Sequence, residues 1–105
     1  MAHFIVYRLD RKDGEAGNIR ATTRPAHRDY MTQFGPRVLI GGPILDEAGN
    51  AQGGMMVIEA ESRDEVERII AADPFEQAGL STTIHIAPFR WQTNRPAHLP
   101  PLAAL

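Results

Sequence analysis

The order in which two hydrophobic rhythms alternate constrains the fold of this chain more than any other feature. Phe4-Ile5-Val6-Tyr7 with Leu9 is a β-branched and aromatic run ended by the polar stretch Asp10 to Asn18, so it reads as a strand and then a loop holding Gly14 and Gly17. From about Thr23 the period changes. His27, Tyr30, Met31 and Phe34 fall at i, i+3, i+4 and i+7, one stripe of a helix. Pro25 suits the first turn of that helix, where its missing N–H is not needed, and Gly35-Pro36 ends it. Val38-Leu39-Ile40 is a second strand, broken by Gly41-Gly42-Pro43. A turn over Asp46-Glu47-Ala48-Gly49-Asn50 follows, and Gly53-Gly54 leads into a third strand, Met55-Met56-Val57-Ile58. Ser62-Arg63-Asp64-Glu65 is a capping box, and Val66, Ile69 and Ile70 form the buried stripe of the helix behind it. That helix should end near Asp73, because the residue before a proline is pushed out of the α region. Thr82 to Ala87 is a fourth strand, continued by Phe89 and Trp91.

The resulting order, β-α-β-β-α-β, is the ferredoxin-like split of the α+β class. Helices cover one face of its sheet. The second and third strands are apolar at every position, so the other face needs a cover as well. A chain of 105 residues suits one domain and has nothing left to supply that cover. A second copy, sheet against sheet, is the expected partner: a homodimer, with further assembly left open. Residues 1–92 form the expected domain. Residues 93–105 carry Pro96, Pro100 and Pro101 with no periodicity, and read as an arm or a frayed tail.

Composition excludes several classes. A net charge of −2 with scattered basic residues argues against nucleic acid and against an anionic membrane surface. The absence of cysteine removes disulfides, thiol catalysis and zinc-thiolate or iron–sulfur sites. No window approaches the roughly 20 apolar residues of a membrane span, and the first residues do not form a signal peptide. The expectation is a soluble cytoplasmic protein. His3, His27, His85 and His98 match no metal-ligand spacing, and no cofactor motif occurs.

His27 and Asp73 are the candidates for proton chemistry. His27 has a structural reading, as a half-buried ring satisfied by backbone or water. Its functional reading is a general base or acid near neutral pH, placed in a first helical turn that would favour the neutral ring. Asp73 has a structural reading as the cap of a short turn with Pro74 first, Glu76 third and Gly79 ending it. Lying at the end of the preceding helix, its charge also calls for a cationic or hydrogen-bonded partner, with His27 or Arg24 as candidates. One carboxylate oxygen can cap while the other orients an imidazole. Gly41-Gly42-Pro43 reads either as a strand-end bulge or as backbone that a ligand approaches closely. Main-chain N–H groups near Gly42 or Gly54 are candidate donors to a developing oxyanion.

Arg24-x-x-His27-x-x-Tyr30, Gly41-Gly42-Pro43, Asp46-x-x-Gly49, Ile58-Glu59-Ala60-x-Ser62-x-x-Glu65, Asp73-Pro74-Phe75 and Ala78-Gly79-Leu80 occur in that order between about Phe4 and Trp91. Together they resemble the YciI-like (YCII-related) family. The resemblance implies a dimeric α+β barrel of ferredoxin-like halves. It also implies a site in which a histidine and an aspartate, matching His27 and Asp73, share a pocket. Arg24, Gly42, Pro43, Gly54 and Phe75 are the candidate substrate contacts beside that pair. A few relatives are similar to dehydrochlorinases acting on chlorinated hydroxyquinols. The chain departs from the pattern at Gly53-Gly54-Met55, where members commonly carry a serine, so any role of that serine is absent. Two functions follow: a cofactor-independent lyase or isomerase acting on a small carbonyl-bearing or cyclic molecule, or a non-catalytic module that binds a small ligand in the same pocket.

Overall fold

A computed structural model describes residues 1–102; residues 103–105 of the expected arm lie outside the described residues. The elements are β1 (Ala2–Asp10), α1 (Ala16–Thr32), a 3-10 turn (Gly35–Arg37), β2 (Val38–Leu45), β3 (Ala51–Ala60), α2 (Arg63–Ala71), α3 (Pro74–Gln77) and β4 (Ser81–Pro88). The strands form one antiparallel sheet in the order β2-β3-β1-β4, the ferredoxin-like arrangement. Among the described residues, no helix is long and apolar enough to cross a membrane.

Period-2 alternation sorts the side chains of the central strands. Phe4 and Val6 of β1, opposite Ile58 and Met56 of β3, join Val66, Ile69 and Ile70 of α2 in the core, with Tyr30 and Met31 of α1, and Phe34 just beyond that helix, packed against it. Ile5, Tyr7, Leu9 and Val57 alternate onto the other face, where Ile40 of β2 pairs with Val57. Tyr7 is 38% exposed and Ile40 47% exposed there. Beyond β4, Leu99 is buried.

Three expectations are corrected. First, α1 begins at Ala16 rather than near Thr23, so Gly17 is helical and Pro25 lies inside the helix. The proline leaves the Ala21 carbonyl without its helical donor, a cost that tertiary packing must offset. The early start carries little sequence signal: Glu15 makes no side-chain cap, and the turn before it is held by Asp13, whose Oδ1 accepts from the Glu15 N–H at 3.3 Å. Second, β2 continues through Gly41-Gly42-Pro43 to Leu45. It is an edge strand, where a proline's missing N–H can face away from the ladder. The register shifts fall between Val38 and Ile40 and between Ile44 and Leu45, not at the glycines. Third, Gly53 and Gly54 belong to β3 itself. Gly53 is required sterically: a Cβ there would collide with the Arg8 carbonyl of β1.

The second helix follows its signals closely. Ser62 Oγ accepts from the Glu65 N–H, and Glu65 Oε1 accepts in return from the Glu61 N–H. The Tyr30 hydroxyl donates to the Ile69 carbonyl at 2.6 Å, satisfying one of the open carbonyls in the last turn of α2 and tying α1 to it.

Candidate active site

Asp73 caps α3: its Oδ1 accepts from the Phe75 N–H at 2.9 Å, Pro74 opens the turn, and Gly79 closes it at φ +78°. The same Oδ1 lies 2.8 Å from Nδ1 of His27, across 46 positions of sequence. Oδ2 accepts from Arg8 Nη1 at 2.9 Å. Cap and imidazole therefore share one oxygen, and the second oxygen takes an arginine of β1. Arg24, the other candidate partner, does not reach the carboxylate. The Asp73 side chain is fully enclosed.

Burial by itself would push this carboxyl up. The His27 hydrogen bond, the Phe75 N–H and Arg8 outweigh that effect and hold it below the ordinary aspartate value. Asp73 is thus an anion and can only accept, so the proton between the two side chains belongs to His27 Nδ1. In the neutral ring, Nε2 then carries the free lone pair. It makes no hydrogen bond among the described residues.

The position of His27 differs from the sequence expectation. It lies in the C-terminal half of α1, away from the positive end of the helix dipole. Asp73 rather than the helix terminus orients the ring. Phe75 stacks on the imidazole at 4.1 Å between centroids and 22° between planes, fixing its tilt.

His27 opens onto a cavity of about 600 Å³ between α1, the sheet and α3. Its wall on α1 is Arg20, Arg24, His27, Arg28 and Met31; β1 supplies Arg8 and Asp10; α3 supplies Phe75 and Glu76. Gly42, Pro43 and Gly54, with Arg24 and Phe75, also line this space; Asp73 does not, and lies enclosed behind His27. Gly54 is unsuited to the donor role expected of it. It lies on an inner strand, paired with Arg8 on one side and Pro43 on the other, and inner strands spend their N–H groups on the ladder. What Gly54 provides is wall without a side chain.

Sequence reasoning missed the charged residues behind the pair. Arg8 Nη1 also donates to Glu76 Oε2 at 2.8 Å, and Ser81 Oγ donates to the same oxygen at 2.7 Å. Arg20 holds both oxygens of the buried Asp10 at 2.7 and 2.8 Å and donates to the Gly53 carbonyl at 3.0 Å. Its guanidinium sits 5.6 Å from the centre of the Phe75 ring. A signal existed for both. Alternation from Phe4 and Val6 puts Arg8 and Asp10 on the core side of β1, where a charge needs a partner. Arg20, Arg24 and Arg28 recur every fourth residue, one row of a helix. Among the described residues, no group of three His, Asp or Glu side chains gathers as a metal site would.

The YCII-related domain model matches residues 2–90. The chain belongs to the YCII-related family. Among solved structures it is similar to the 5-chloro-2-hydroxyhydroquinone dehydrochlorinase of Burkholderia phenoliruptrix in complex with 2,5-dihydroxybenzoquinone. That likeness has 32% identity and a TM-score of 0.74, covering 86% of this chain and 93% of that one. An uncharacterised NIPSNAP domain protein of Burkholderia xenovorans shares the fold at 10% identity and TM-score 0.53, covering 91% and 99% of the two chains. SnoaB of Streptomyces nogalater, a cofactor-independent oxygenase, does so at 15% identity and TM-score 0.50, covering 90% and 97%. The last two likenesses speak to fold alone. No protein of curated function matches the sequence.

Proposed function

We propose that this protein is a cofactor-independent lyase or isomerase in which His27 moves a proton on a small carbonyl-bearing or cyclic substrate. One observation carries the reading: an imidazole held through Nδ1 by an enclosed, ionised carboxylate, with Nε2 left for a ligand in the cavity. Nε2 takes a proton from a carbon or hydroxyl of the substrate; Asp73 keeps the tautomer and stabilises the imidazolium that forms. The electron pair released then expels a leaving group or shifts a double bond. In a dehydrochlorination the proton goes to Nε2 and chloride departs, which is the reaction named for the relative at 32% identity. Arg24 and the bare backbone of Gly42, Pro43 and Gly54 form the wall against which the substrate lies.

The test is chloride release from 5-chloro-2-hydroxyhydroquinone, with 2,5-dihydroxybenzoquinone as the binding probe. His27→Ala should lower kcat/KM by about 10²–10⁴-fold and Asp73→Asn by less. Turnover unaffected by His27→Ala would overturn the assignment. The second reading, a binding module, is favoured if the quinone binds in a His27-dependent way while none of a set of chlorinated and carbonyl substrates turns over.

The proposal includes a homodimer. Tyr7 and Ile40, with the half-buried Ile5 and Leu9, present an apolar face without helices, and closing two such faces on each other removes it from water. Sedimentation should give twice the chain mass, falling to the monomer mass in Tyr7→Asp; a wild-type monomer would exclude the dimer. A soluble, cytoplasmic setting with residues 1–92 as the domain and 93–105 as its arm belongs to the same proposal.

A further inference from the structure

We propose that the cavity takes a small organic carboxylate with an apolar, ring-sized body, and that Arg24 and Arg28 together hold its charged end. The inference rests on the reading above for treating the cavity as a substrate site, and goes beyond it in naming the ligand class and a second arginine.

The cavity wall carries four guanidiniums that differ in what they already hold. Arg8 is engaged by Asp73 and Glu76, and Arg20 by both oxygens of Asp10. Arg24 and Arg28 line the same space and form no hydrogen bond or ion pair among the described residues. The chain has 13 acidic residues and a net charge of −2, so anionic partners are not scarce. Yet the acids lining the cavity, Asp10 and Glu76, are committed to the other two arginines.

Arg24 and Arg28 are neighbours on one helix face, four residues apart within α1, where like charges oppose helix formation. An anion seated between them relieves that repulsion. Two adjacent guanidinium forks also suit a planar oxyanion, which can accept two parallel N–H bonds. The remaining lining decides what the anion is attached to. Met31, Val38, Met56 and Leu80 are apolar, and the stacked His27 and Phe75 rings favour a flat body over a bare ion. The volume, about 600 Å³, is that of a small-molecule site. His27 lies three residues after Arg24 and one before Arg28, so a molecule anchored by the pair has its body beside Nε2.

Calorimetric titration of the full chain with benzoate, benzamide and inorganic phosphate tests this. Benzoate should bind roughly tenfold or more tighter than benzamide, its uncharged isostere, and tighter than phosphate. Arg24→Gln and Arg28→Gln should each weaken benzoate, and the double variant should bring it to the level of benzamide while benzamide stays unchanged. Added salt should weaken benzoate selectively. Both arginines are exposed, so melting temperatures should hold or rise slightly, and Arg28→Lys should keep part of the preference. Equal binding of benzoate and benzamide, a preference that survives the double variant, or phosphate binding tighter than benzoate overturns the proposal. His27→Ala separates the two readings. Its benzoate preference should persist, so an arginine-dependent preference without His27-dependent turnover removes the proton-transfer reading alone. The converse result removes the anion site alone.

Discussion

The two long helices differ in what they do for the sheet. α2 has nine residues and buries Val66, Ile69 and Ile70; α1 has 17 residues and buries none of them. The shorter helix closes the core. The longer one stands off the sheet on the half-buried Tyr30 and Met31, with Phe34 just past its end, and the space left beneath it is the cavity. Cavity-lining and core residues overlap at Met56, and Asp73, enclosed behind His27, ties the cavity wall to the fold. It caps α3, anchors Arg8 of β1 and orients His27 of α1.

That contrast can be broken by substitution. Ile70→Ala in α2 should cost about 2–5 kcal/mol in denaturant unfolding, whereas Met31→Ala in α1 should cost clearly less, because its side chain already borders empty space. Equal losses would mean that α1 is a core helix after all. Neighbouring glycines of β3 sharpen the same distinction. Gly53→Ala meets the Arg8 carbonyl and should destabilise by about 1–3 kcal/mol, as overpacking does. Gly54→Ala meets only the Gly42 carbonyl oxygen at 3.9 Å, so it should leave stability near wild type and weaken ligand binding by narrowing the cavity. Similar melting curves for the two variants would contradict this assignment.

A smaller effect is expected with pH. The Asp73 carboxyl is lower in the folded protein than its ordinary value of 3.8, so its ionised form favours folding above that value. The contribution is lost as pH falls from about 4 through the folded value. Asp73→Asn should be less stable than wild type at neutral pH, and the gap should narrow as acid is added. A gap independent of pH would show that the depressed carboxyl is not the source.

The core and the element order are legible in the sequence because β1, β3 and α2 bury residues whose spacing matches their own period. Val66, Ile69 and Ile70 stand behind a working capping box. α1 is legible only from Thr23 onward. Its first turns border the cavity and solvent, so polarity there reflects exposure and imitates a loop, and Pro25 counterfeits a helix start. β2 is misread for a related reason: an edge strand tolerates the glycines and proline that would end an inner one. His27 and Asp73 can be picked out by residue type and cap signals, but their meeting depends on how α1 lies over α3, which no local pattern encodes. Arg28 needed only the fourfold spacing of three arginines to be noticed.

The most direct test of the His27–Asp73 pair is nitrogen-15 NMR of the His27 ring in its neutral form, in wild type and in Asp73→Asn. The geometry predicts a proton on Nδ1 and a bare Nε2 in wild type, loss of that tautomer preference in the variant, and a shift confined to Nε2 when ligand is added. A wild-type ring protonated on Nε2, or one unchanged by Asp73→Asn, would contradict an aspartate-held base facing the cavity.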